Sequence, residues 1–213
     1  MMQKDRMTNP REGYKMGTQV LHTESYPLPQ IAKGEFFLEM RDAHTGKLLE
    51  NFHRKNIITL DAGILAARLF KDPVEPAYGA YMLAIGTGAA GSPLAPNAPD
   101  SRQRKLNAEI ARKPFSSTVF RDAMGNAVAI PTNIVDFTTS FGEGEAVGPL
   151  TEMGIVSPLS NNPLVTNPNP DVFPNRDTSL DLTQFDTLIN YLTFGVVTKP
   201  STAVLTITWR LTF

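Results

Sequence analysis

The run at 203–213 constrains this chain more than any other stretch. Val204, Thr206, Thr208 and Arg210 alternate there with Leu205, Ile207, Trp209 and Leu211. A strict period of two places alternate side chains on opposite faces of a strand, so one face is apolar and the other polar. Such a strand belongs to an antiparallel sheet packed on one side and wet on the other, since the strands of a parallel α/β core are apolar on both faces. The expected class is therefore mostly β: an antiparallel β-sandwich with one or two short helices and an extended N-terminal arm.

The rest of the chain supplies partners for that strand. Segments 35–41 and 47–53 flank Asp42-Ala43-His44-Thr45-Gly46, whose Asp and Gly suit a tight reversal, and together they predict a β-hairpin. A short strand follows at 56–60. Asp61 is then placed to N-cap a helix carrying Ile64, Leu65, Leu69 and Phe70 on its apolar side, ended by Lys71-Asp72-Pro73. The apolar run 81–85 reads as a buried strand that stops at Gly86-Thr87-Gly88 and leads into a loop holding Pro93, Pro96 and Pro99. Segment 101–113, with Leu106 and Ile110 on one side and Pro114 at its end, reads as a short amphipathic helix. Strands are expected again at 115–120, 134–141, 154–156, 188–197 and 203–213, with a turn at 122–126.

Two segments carry no period. Residues 1–34 hold scattered charges with Pro10, Pro27 and Pro29 and read as an arm; residues 157–184, rich in Pro and Asn, read as a long loop. The domain proper is then 35–213. An arm that only solvated itself would have little use for Tyr14, Val20, Leu21, Tyr26, Leu28 and Ile31. Tyr14, Tyr26 and Leu28, with Phe173 of the long loop, are accordingly the expected partner contacts.

Composition excludes several classes of function. A formal net charge of -1 lacks the cationic surplus that phosphate contacts draw on, so no nucleic-acid partner is expected. The absence of cysteine removes disulfides, thiolate metal sites and cysteine nucleophiles. The N-terminus shows no apolar stretch of signal-peptide length, and the most apolar helical window, 57–70, is interrupted by Asp61 and Arg68; neither secretion by that route nor a membrane span is expected.

Candidate chemistry is sparse. Gly86-Thr87-Gly88-Ala89-Ala90-Gly91 has the letters of a dinucleotide fingerprint, but Ser92-Pro93-Leu94-Ala95-Pro96 stands where the phosphate-binding helix should begin. The glycines are read instead as a sharp turn. Glu143, Glu145 and Glu152 form the nearest approach to an acidic cluster, and Glu143 and Glu145 are read as a solvated strand end or an intersubunit contact. His22, His44 and His53 show no ligand spacing, and no Gly-x-Ser-x-Gly elbow occurs. Trp209, the sole tryptophan, shares a face with Leu205, Ile207 and Leu211, which favours core packing over a sugar platform. No enzyme, cofactor or metal is expected.

Three blocks, in order, carry a resemblance. The first is Ile85-Gly86-Thr87-Gly88 followed after a proline-rich gap by 104–113 (RKLNAEIARK); the second is 135–146 (VDFTTSFGEGEA) leading to 150–155 (LTEMGI); the third is 197–202 (VTKPST) with 205–213 (LTITWRLTF). Together, over about residues 55 to 213, they resemble a group of small structural proteins of tailed bacteriophages encoded among tail, baseplate and fibre-attachment genes. The resemblance implies a β-sandwich virion part, assembled in the host bacterial cytoplasm, whose partners are further copies of itself as a homo-oligomer and other phage tail or neck proteins. Collar or neck, baseplate and fibre adaptor all stay open as its position. The alternative is a receptor- or glycan-binding module of a tail fibre.

Overall fold

A computed structural model of the chain describes residues 32–71, 79–89, 91–92, 94–159 and 186–213. The contacts expected at Tyr14, Tyr26, Leu28 and Phe173 lie outside the described residues, as do most of the arm and of the 157–184 loop. The elements run β1 (Lys33–Asp42), β2 (Leu48–Ile58), α1 (Leu60–Lys71), β3 (Met82–Gly86), β4 (Gly91–Ser92), β5 (Ala95–Pro96), β6 (Glu109–Pro114), β7 (Ser117–Arg121), β8 (Ala127–Val128), β9 (Ile134–Phe141), β10 (Gly148–Pro158), β11 (Asp186–Leu188), β12 (Asn190–Lys199) and β13 (Ala203–Thr212). The fold is mostly β, antiparallel and sandwich-like, with α1 the single helix among the described residues.

The strands follow the order β6-β3-β10-β12-β2-β1-β13-β9-β7-β8, with β11 also paired to β10; β4 and β5 form a separate small ribbon. This one sheet is folded into two layers. The long β2 pairs with β1 from Gly34↔Asn56 onward, while its end, Ile57 and Ile58, pairs with Tyr191 and Asn190 of β12 and so crosses into the second layer. At the opposite corner β6 pairs with β3, and after Phe115 and Ser116 the chain joins β9 as β7. There the Thr139 hydroxyl donates to the Pro114 carbonyl at 3.0 Å, and the Ser116 N–H donates to the Thr138 carbonyl at 2.8 Å.

Burial along β13 alternates as its sequence requires: Leu205, Ile207, Trp209 and Leu211 face the core, and their neighbours are only partly covered. Phe36 of β1 packs edge-on against Trp209, with ring centroids 5.1 Å apart, and against Phe194 of β12 in the other layer at 6.3 Å. These rings fill the space between the layers. In β10, by contrast, Leu150 to Pro158 are buried on both faces, because the chain at 103–108 and the side chain of Leu188, from the adjacent strand β11, lie over its outer side. Ala84, Leu106, Val156, Leu188 and Tyr191 make a second, smaller apolar cluster there.

Local expectations fare unevenly. The 35–53 hairpin forms, its turn held by Asp42 Oδ1, which accepts from the backbone N–H groups of His44 (3.2 Å) and Thr45 (2.7 Å), and Gly46 takes φ +69°. The separate strand at 56–60 is instead the end of β2. Helix α1 is capped by Thr59 rather than Asp61: the Ala62 N–H donates to Thr59 Oγ1 at 3.3 Å, and Asp61 sits in the first turn, paired with Arg104. Segment 101–113 is not a helix. Its first part is turn and extended chain, and Glu109 onward is β6. Leu106 and Ile110 fit a helical period, but a buried strand, β3, must satisfy the backbone groups along its free edge, and 109–114 is the segment that does so.

Candidate functional site

On the outer face of the second layer, Glu152 of β10 is fully buried, and its carboxylate gathers five donors. Oε1 accepts the N–H groups of Gly88 (3.2 Å) and Ala108 (2.7 Å); Oε2 accepts the Asn107 N–H (2.9 Å), the Asn107 side-chain amide (3.3 Å) and the Tyr191 hydroxyl (2.7 Å). Burial pushes the Tyr191 phenol above its usual range, and the adjoining Glu152 carboxylate pushes it further. The group is a latch that fastens 103–108 across β3 and β10. With every lone-pair direction occupied by protein and no access to solvent, Glu152 has no free edge with which to meet a substrate.

The glycine run belongs to this latch. A Cβ on Gly86 would lie 2.5 Å from the Ala108 carbonyl oxygen, and one on Gly88 would lie 2.5 Å from the Ala108 nitrogen. Neither residue has a positive φ. Their role is therefore close approach: two bare backbones let the 103–108 segment lie flat and aim its N–H groups at Glu152. The chain does bend at Thr87 as it leaves β3, as the glycines suggest, and close approach is the further demand that the sequence did not declare.

The structure does not bring the three glutamates together. Glu145 Oε2 accepts from the Gly142 N–H (2.6 Å) and Lys113 Nζ (3.0 Å), which holds the turn after β9, while exposed Glu143 lies 3.4 Å from His44 of the β1–β2 turn. Beneath that turn Lys199 is fully buried, and its ammonium donates to the carbonyls of Gly142 (2.8 Å) and Ala203 (2.7 Å). Burial lowers its pKa, against the pull of Glu145 and Glu143. Sequence reasoning missed two further ionic knots, each assembled from distant segments. Arg112, buried, forks onto Glu109 (2.6 and 2.9 Å) and reaches Asp186 (2.8 Å); the bulge that shifts the β3–β6 register places Glu109 on the same face as Arg112. Asp136, buried in β9, takes Arg210 on both oxygens (2.7 and 2.9 Å) and Arg121 on one (2.8 Å). Burial would raise the Asp136 pKa, but these two guanidinium groups hold it below the ordinary carboxylate range.

Trp209 lies in the core, as its face predicts, and offers no ring to a sugar. His53 stacks on Phe37 at 4.4 Å, and His22 lies outside the described residues. No three His, Asp or Glu side chains converge on a common point among the described residues, and no helix there is long and apolar enough to cross a membrane.

Leu48, Leu49, Leu94 and Val147 are among the exposed apolar side chains, and such residues gather with an uncovered strand edge at the end of the first layer and with a cleft at α1. At one end of the first layer β7 pairs with β8 only at Phe120 and Arg121, so among the described residues no strand covers the outer side of β7 before Phe120. Met124 and Ile130, on either side of β8, are 88% and 77% exposed. The second place is α1. Leu65 alone of its side chains is buried, whereas Ile64 is 58% and Phe70 92% exposed, so the apolar side expected at 64, 65, 69 and 70 is largely uncovered. A cleft of about 880 Å³ runs beneath the helix, walled by Ala62, Leu65, Leu69, Val135, Leu211 and Phe213. Comparison of the sequence with protein-family models and with curated proteins finds no match.

Proposed function

We propose that this protein is a structural component of a tailed-phage virion that assembles through subunit contacts in the tail, neck or collar, baseplate or fibre attachment. The observation that carries the reading is the β7–β8 end of the sandwich. An uncovered strand edge flanked by Met124 and Ile130 invites a strand or apolar side chain from a neighbour, since exposed backbone groups pair readily and an isolated apolar patch gains by burial. The ordered blocks that resemble tailed-phage proteins support it further, because they build one rigid unit: Glu152 of the second block is bound by Gly88, Asn107 and Ala108 of the first.

The test is the mass of the purified protein by light scattering over a range of concentrations, alone and mixed with tail and neck proteins, for the natural sequence and for Met124→Asp with Ile130→Asp. A discrete homo-oligomer or mixed complex that the double variant fails to form is the expected result. A persistent 23.3 kDa monomer that joins nothing would overturn the proposal and direct attention to receptor or glycan binding.

A further inference from the structure

We infer that the free edge of β2 pairs two copies of this chain, antiparallel, about a two-fold axis that passes beside Phe52. The inference goes beyond the assembly reading: this edge is separated from β7 by β1, β13 and β9, and it can pair whether or not the β7–β8 end engages a neighbour. Along one side β2 pairs with β1, but on its other side only Ile57 and Ile58 have partners, in β12. Among the described residues no strand covers the outer side of 48–56. Leu48 and Leu49, at the start of that edge, are 44% and 41% exposed.

Charge on an edge strand usually blunts it, and β2 carries Glu50, Arg54 and Lys55. The placement of two of these charges has the opposite effect. Glu50, Phe52 and Arg54 stand opposite Met40, Leu38 and Phe36 of β1, so all three share the core-facing side of the sheet. Phe52 packs against Phe36 and Phe194, and Arg54 lies over the Phe52 ring at 5.7 Å. Glu50 and Arg54 are exposed and form no ion pair among the described residues. Four residues of strand hold them about 14 Å apart, so neither can serve the other within one chain. When a second β2 is laid antiparallel with Phe52 opposite Phe52, residue 50 of each strand falls opposite residue 54 of the other. Directly opposed residues share a face, so each Glu50 meets the Arg54 of the second copy and the two Phe52 rings meet at the axis. Asn51 then falls opposite His53, which adds no like-charge pair. A pair centred on Glu50 or on Arg54 would oppose like charges, so the charges select the register as well as the partner. The outward backbone groups of the edge gain partners in the same step.

The test is charge reversal in the protein carrying Met124→Asp and Ile130→Asp, whose β7–β8 end is disabled, with mass followed by sedimentation over a range of concentrations. That parent should be a dimer. Glu50→Arg or Arg54→Glu makes both contacts repulsive at once, because the axis repeats each of them, and either should raise the dissociation constant about tenfold or more. An equimolar mixture of the two single variants sets opposite charges together again at both contacts and should restore a dimer, as should E50R with R54E in one chain. Both positions are exposed, and circular dichroism with Trp209 fluorescence confirms that each variant is folded. A monomeric parent, single variants that dimerise as the parent does, or a mixture that stays monomeric would overturn the inference. Should Met124→Asp with Ile130→Asp leave the mass of the natural protein unchanged while charge reversal dissociates it, the inference stands and the contact at the β7–β8 end falls.

Discussion

Replacing Glu152 by Gln leaves the shape of the latch intact and removes one acceptor. If the new amide nitrogen takes the place of Oε1, it confronts the Gly88 and Ala108 N–H groups, and neither can turn away. The less costly choice puts it at Oε2, where the Tyr191 hydroxyl can rotate to accept, the Asn107 side-chain amide loses Oε2 but keeps the Tyr191 oxygen, and the Asn107 backbone N–H is left without a partner. One orphaned buried donor costs about 1–3 kcal/mol, and weakening the two remaining bonds from charge-assisted to neutral costs roughly 1 kcal/mol each. A neutral amide is easier to bury than a carboxylate, which returns part of this. A net loss of about 2–4 kcal/mol follows, a large share of the stability of an ordinary domain. Urea unfolding followed by the fluorescence of buried Trp209 measures it, and hydrogen exchange at the Asn107 and Ala108 amides localises it. A change below about 0.5 kcal/mol, with those two amides still protected, would refute the claim that the carboxylate is what pins 103–108.

The remaining predictions concern the same scaffold. Gly88→Ala sets a Cβ against the Ala108 backbone nitrogen and should cost about 1–3 kcal/mol or more, read as a lowered urea midpoint with an unchanged slope. Arg112→Met leaves Glu109 and Asp186 buried without their shared cation and should cost about 3–5 kcal/mol by the same assay. The depressed pKa of Asp136 means that its contribution is complete above the ordinary aspartate value of about 3.9 and is lost as pH falls through the lower folded value. Asp136→Asn should therefore be less stable than the natural protein at pH 7, and the gap should narrow in acid-unfolding curves taken below about pH 3.9.

The acidic residues illustrate how a sequence can display the right atoms without their roles. Glu143, Glu145 and Glu152 are close in the chain, yet the strand turns them to different destinations: Glu143 to the β1–β2 turn, Glu145 to Lys113, and Glu152 to a buried backbone cradle. Glu152 is enclosed by protein donors, and Glu145 is engaged by Lys113 and the Gly142 N–H, so neither stands as a free carboxylate of the kind acid-base catalysis pairs. The ionic knots were illegible for the complementary reason. Arg112 meets Asp186, and Arg210 meets Asp136, across separations in sequence that no spacing rule covers.

Patterns of period two were enough to determine the class of fold, because a strand that must bury one face declares that face residue by residue, as 203–213 does; the 42–46 turn and the core position of Trp209 were legible on the same ground. Local period could not decide between helix and strand at 101–113, where Leu106 and Ile110 satisfy either, and the tertiary structure decided it by offering β3 an otherwise unpaired edge and Glu152 an otherwise unsolvated charge. It likewise gave Gly86 and Gly88 their meaning, since a need for bare backbone exists only once another segment lies on it. Local pattern reports which side chains avoid water; which distant backbone or charge they meet is a property of the folded layers alone.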